Sequence, residues 1–149
     1  MMTGRILFTG FRGTRNASGL LAEQLSGDCC LLTNSFSGLK RDIDAVKGDF
    51  DCVVMFGVDK ELRGRVRIEK TAEKNGVRCP SCLDLEEIAE SFRKAGVDAE
   101  TSDSPIPCLC NEAYWHMLRK YDGRAVFIHI PTAGNMDGAF FSRIRQAFR

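Results

Sequence analysis

The chain alternates short apolar runs with stretches in which apolar residues recur every three or four positions. RILFTGF is rich in branched and aromatic residues and runs into Gly10, which predicts a buried strand entering a tight turn. In SGLLAEQLSG, Leu21 and Leu25 share a face, Ser18 suits a helix cap and Gly27 suits a helix end. CCLLT predicts a second strand. A helix starting at Ser35 or Ser37 carries Leu39, Ile43 and Val46 before Gly48, and DCVVMFG is a third, wholly apolar strand.

Beyond Arg65 the stretch RVRIEKTAEK alternates polar with apolar residues, which predicts one strand exposed on one face and lying at a sheet edge. Leu85, Ile88, Ala89, Phe92 and Ala95 form a helical stripe between Asp84 and Gly96. VDAETS is a short strand. The Pro-rich SDSPIPCLC leads into a helix bearing Ala113, Tyr114, Met117, Leu118 and Tyr121, RAVFIHIP is the clearest late strand, and a last helix carries Phe140, Phe141, Ile144, Ala147 and Phe148. Strands and helices that alternate without linker or repeat define an α/β chain. The expected architecture is a three-layer α/β/α sandwich of the phosphorylase/hydrolase type, with a mostly parallel, mixed sheet, in one domain spanning 1–149. In such sheets function gathers beyond the carboxyl ends of strands, here Gly10 to Ser18, the segment after Gly57 and the region after Ile130.

Composition narrows the function. The 149 residues carry 21 Lys and Arg against 20 Asp and Glu, so no large field of one sign is available for nucleic acid or an acidic membrane surface. No stretch approaches the roughly 18 apolar residues of a membrane span, and the opening run is too short for a secretion signal. A cytoplasmic protein acting on small molecules or peptides is expected. The seven cysteines are odd in number and have no oxidising compartment, so free thiols are expected, with Cys29, Cys30 and Cys52 serving as small core residues.

Cys110 stands where the Pro-rich loop meets a helix, and a thiol there feels the positive end of the helix dipole, which favours the thiolate. A cysteine nucleophile needs a base, and the chain has two histidines. His116, six residues after Cys110 on the same helix, is poorly spaced for contact. His129, near the carboxyl end of the last strand, is the better base. Taken singly, each residue also reads as ordinary packing, a buried thiol and a histidine bonded to backbone. A rival reading gathers Cys79, Cys82, Cys108 and Cys110 as a structural zinc site, although CxC is a rarer half-site than CxxC. A redox reading of Cys79-Pro-Ser-Cys82 is weaker still, because such a pair should open a helix directly after a strand.

Four segments resemble the pyroglutamyl peptidase I (pyrrolidone-carboxylate peptidase) family along almost the whole chain. ILFTGFRGTRNAS is similar to the family's opening strand and loop, with Gly10-Phe11 and Asn16-Ala17-Ser18 in place of its Gly-Phe and Asn-Pro-Ser. VVMFGV and IEKTAEKNGVRCP resemble the strand and Glu-Arg-Val-Ala-x-Asn stretch that supplies a catalytic glutamate. FRKAGVDAETSDSPIPCLCNEAYWHML resembles the segment around the family's Cys-Asn pair, and AVFIHIP matches its Phe-Ile-His-Val-Pro.

The resemblance implies Cys110 as nucleophile, His129 as general base and acid, and Glu69 as the group that orients the imidazole, with Glu73 as its fallback. It further implies Phe11, Asn16 and Arg78 as substrate-binding residues, no cofactor and no metal. The implied substrate is a peptide with a blocked, pyroglutamyl N-terminus, and the implied assembly a homo-oligomer. The glutamine-bearing stretch that follows the family's third strand reads here Gly57-Val58-Asp59-Lys60, and two prolines, Pro105 and Pro107, replace a flexible glycine before the nucleophile. A non-catalytic, ligand-binding relative is the other function class compatible with these residues.

Overall fold

The computed structural model describes residues 2–149. Its elements run β1 (Ile6–Phe11), α1 (Ala17–Gln24), β2 (Asp28–Leu32), α2 (Phe36–Ala45), β3 (Cys52–Val58), β4 (Arg65–Glu69), β5 (Thr71–Lys74), β6 (Val77–Pro80), α3 (Leu85–Lys94), β7 (Asp98–Ser102), α4 (Leu109–Lys120), β8 (Ala125–Ile130) and α5 (Gly138–Gln146). Six strands form one sheet in the order β2-β1-β3-β8-β4-β7. Every neighbouring pair in it is parallel except β8 and β4.

The sheet is covered on both faces because its strands are apolar on both. Phe8, Val54, Val66, Ile68, Val126 and Ile128 pack under α1, α3 and α5. Leu7, Val53, Met55, Ala125 and Phe127 point the other way, under α2 and α4. Side chains alternate faces along a strand, so consecutive residues divide between the two cores. On β8 and β4 the odd-numbered residues therefore face α4, and that set includes Arg67, Glu69 and His129.

The stretch 65–74 is not one edge strand. It breaks at Lys70 into β4, which lies inside the sheet between β8 and β7, and β5, which pairs with β6 in a separate hairpin. Asn75 and Gly76 both take positive φ at the hairpin tip, 52° and 77°, as a two-residue Asn-Gly turn requires. The alternation reflected a strand with an apolar side, Val66 and Ile68, and a charged side that faces a cavity rather than bulk water.

Two other expectations change. Asn16, not Ser18, caps α1, and the Ser18 hydroxyl is buried and accepts the Phe11 N–H. Of the three cysteines expected in the core only Cys52 is buried; Cys29 is exposed and Cys30 half-buried, because β2 is the outermost strand. Gly10 is required by packing: a Cβ there would collide with the Ser18 carbonyl, so glycine lets α1 lie close on β1.

Candidate active site

Register brings the charged side chains of β4 and β8 together. Across the antiparallel junction Arg67 pairs with His129 and Glu69 with Phe127, so all four side chains project toward α4. His129 Nδ1 lies 2.7 Å from Glu69 Oε2. The same carboxylate oxygen accepts from Arg67 Nε at 2.7 Å, and Arg67 Nη2 donates to Asp59 Oδ2 at 2.8 Å. Nδ1 also lies 3.4 Å from Arg67 Nη2, but a guanidinium only donates, and the shorter contact to a carboxylate makes Nδ1 the N–H. The Nε2 lone pair is then the basic one.

Burial alone pushes the Glu69 carboxyl up, yet the hydrogen bonds from His129 and Arg67 outweigh it and hold Glu69 below the usual carboxylate range. Asp59 is likewise held low: burial opposes ionisation, but the Glu61 N–H and the Arg67 guanidinium more than offset it. Asp59, Arg67, Glu69 and His129 thus form a chain of alternating charge and donor along the sheet.

The thiol comes from α4. Cys110 sits in its first turn beneath Gly57, where a Cβ would lie 2.8 Å from the Cys110 sulfur and 2.6 Å from Phe127 Cζ. Glycine on β3 leaves room for the sulfur. The Tyr114 hydroxyl, one turn on, donates to the Glu69 carbonyl at 2.9 Å and ties the helix to β4. Asn111 clamps the other side, accepting from the Glu73 N–H at 3.0 Å and donating to the Glu73 carbonyl at 2.7 Å.

Cys108 occupies the cap position of α4. Its thiol is drawn down to about 6, first by the neighbouring Cys110 side chain and then by the backbone N–H groups of Asn111 and Cys110, against the opposing effect of burial. Cys110 is pushed up, first by the neighbouring Cys108 and then by burial, with the charges of Glu69 and Asp59 adding to it. A negative sulfur is therefore best held at Cys108.

Asp59, Arg67, Glu69, His129 and the two thiols line one cavity of about 340 Å³, walled also by Val58, Lys60, Thr71, Pro105 and Ile106. Cys110 and His129 both face it, and the hydrogen bond of His129 runs to Glu69. A broader hollow beside α3 is lined by Asp84, Glu86, Glu90 and Lys94 and has neither cysteine nor histidine.

The residues expected to bind substrate lie elsewhere. Phe11 is buried in the core under α2 and α4. Asn16 spends its side chain on capping, accepting from the Ser18 N–H at 3.0 Å. Arg78, on the outlying hairpin, pairs with Asp103 at 2.8 Å and Glu73 at 3.6 Å, so neither it nor the fallback Glu73 lines the cavity. The arginine at the site is Arg67. Its signal was present in the sequence as a charged residue two before Glu69, on the same side of a strand whose other side is Val66 and Ile68.

Cys79 and Cys82 flank a separate shallow depression beside Leu118 and Arg119. Among the described residues no three Cys, His, Asp or Glu side chains gather as a metal site, so the four-thiolate alternative is not assembled. Among the same residues no helix is long and apolar enough to cross a membrane.

The fold and the cavity define a three-layer α/β protein with a cysteine pair opposite a glutamate-bound histidine. No family model and no curated protein sequence matches the chain. Solved structures do. The pyroglutamyl peptidase I of Bacillus amyloliquefaciens superposes with a TM-score of 0.82 at 18% identity, over 98% of this chain and 91% of that one. The pyrrolidone carboxyl peptidase of Thermococcus litoralis gives 0.76 at 18%, over 97% and 91%, and that of Thermus thermophilus 0.75 at 19%, over 95% and 97%. The chain has the fold of the pyroglutamyl peptidases.

Proposed function

We propose that the protein is a cysteine hydrolase that removes a pyroglutamyl or related N-acyl residue from the N-terminus of peptides. The observation that carries this reading is the 2.7 Å Glu69–His129 contact on the wall of a cavity that Cys110 also lines, within a fold shared with pyroglutamyl peptidases.

With Nδ1–H held by Glu69, His129 Nε2 takes the thiol proton and the sulfur attacks the carbonyl carbon of the first peptide bond. The tetrahedral oxyanion collapses to a thioester as His129 returns the proton to the leaving amine. Water, deprotonated by the same nitrogen, then releases the acyl group and restores the thiol. The N–H groups of Cys110 and Asn111 lie in the first turn of α4, where they have no partner within the helix, which makes the start of α4 a suitable place to hold an oxyanion.

One observation favours a second reading within the same chemistry. The Cys108 thiol is held low and that of Cys110 is pushed up, so Cys108 is the competing nucleophile.

The test is release of aminocoumarin from a pyroglutamyl amide under reducing conditions. Activity lost in C110A and H129A, and retained in C108A, supports Cys110 as nucleophile. Activity retained in C110A and lost in C108A exchanges the two roles. A wild type inactive on pyroglutamyl and other N-acyl amides overturns the hydrolase reading in favour of a ligand-binding protein.

A further inference from the structure

Arg67 belongs to none of the groups that carry out the proposed steps, yet it is the best connected side chain at the site. Its Nε shares Glu69 Oε2 with His129, its Nη2 is anchored on Asp59, and its strand pairs it directly with His129. Only 19% of the side chain is exposed, so these bonds are poorly screened by solvent.

We propose that Arg67 is a positioning residue, which locks the Glu69 carboxylate onto His129 Nδ1–H while dividing its charge between Glu69 and Asp59; this rests on the hydrolase reading of the site. A carboxylate bound only to an imidazole can rotate about its terminal bond and offer either oxygen. A second donor on the same oxygen, rigid because a guanidinium is planar and anchored at its far end, removes that freedom. A fixed Nδ1–H leaves Nε2 as the ring's sole lone pair, available to take the thiol proton. Asp59 has the further effect of balancing the guanidinium charge beside a group that must become an imidazolium during turnover.

The titratable groups that line the cavity with Glu69 are Arg67 on its own strand, His129 on β8, Asp59 and Lys60 after β3, Cys108 at the cap of α4, and Cys110 and Tyr114 on that helix. Arg67 and His129 are the two that bond its carboxylate.

The experiment uses the full chain and the variants R67M, R67K and D59N. Imidazole nitrogen NMR reports the His129 tautomer, with His116 as the internal control, and carboxyl carbon NMR follows the Glu69 titration. In R67M the Nδ1–H signature should give way to a tautomer mixture, Glu69 should titrate at higher pH, and kcat should fall about 10- to 100-fold with KM nearly unchanged. R67K should recover the Glu69 titration and part of kcat. In D59N the whole guanidinium charge turns to Glu69, whose titration should move to lower pH. An unchanged tautomer and Glu69 titration in R67M overturn the proposal, as does an R67K no better than R67M. Should R67M fail to fold, an upward or absent Glu69 shift in D59N overturns it instead. Both NMR readouts need no turnover, so an inactive wild type with these shifts as expected refutes the hydrolase reading while supporting the hold of Arg67 on Glu69.

Discussion

Cys108 occupies the cap position of the helix in whose first turn Cys110 lies, and both thiols face the same cavity. Two thiols coupled in this way titrate as a pair, and the first proton leaves Cys108, whose thiol is held low while that of Cys110 is pushed up. Alkylation by iodoacetamide, followed by peptide mass spectrometry, should therefore mark Cys108 at pH 7 with an inflection near 6. Cys29, raised by burial and by Glu23, should react more slowly per exposed sulfur. In C110S the hydroxyl is a different donor and the inflection should rise. An inflection that stays in place would mean that the backbone N–H groups alone hold the thiolate.

Replacing Glu69 by Gln keeps the shape but removes the charge, and the amide can present its NH2 to Nδ1 and force the other imidazole tautomer. The expected loss in kcat is on the order of 10²- to 10⁴-fold, with little change in KM. Steady-state kinetics on the pyroglutamyl amide measure it.

Stability should depend on pH through the same carboxylates. Glu69 and Asp59 are both held below their unfolded values by Arg67 and its neighbours, so their contribution is complete above about 4.3 and is lost as pH falls through the folded values. The urea midpoint should drop between pH 5 and pH 3. In E69Q that drop should be smaller.

Gly57 should not tolerate a methyl group. With a Cβ 2.8 Å from the Cys110 sulfur and 2.6 Å from Phe127 Cζ, G57A must displace the thiol or the ring. The expected cost is about 1–3 kcal/mol in denaturant unfolding, together with loss of hydrolysis out of proportion to that destabilisation.

Asn16 offers the opposite outcome. Its side chain is spent on the α1 cap, so N16A should cost about 1 kcal/mol of stability while leaving KM unchanged. A large rise in KM would return Asn16 to the substrate-binding set.

The α/β alternation, the helix stripes and the strand of His129 are local matters. A period of two or of 3.6, an Asp at the start of α3 and an Asn-Gly at a turn are decided within a few residues, and the sequence carries them in full. Even the side of β4 that Arg67 and Glu69 share was implicit in its alternation. What no local pattern could decide is partnership. Glu69 and His129 are 60 residues apart, and they touch because β4 enters the sheet antiparallel to β8 in the one register that sets Arg67 opposite His129. The same pairing breaks the 65–74 stretch at Lys70, draws β4 from the expected edge to the interior, and leaves Arg78 on a hairpin outside the cavity. The pull between Cys108 and Cys110 depends in turn on where the first N–H groups of α4 point. Sequence determined which side chains were present on which strand or helix; packing of the sheet against α4 determined which of them meet, because contact energy depends on distances that only the folded chain defines.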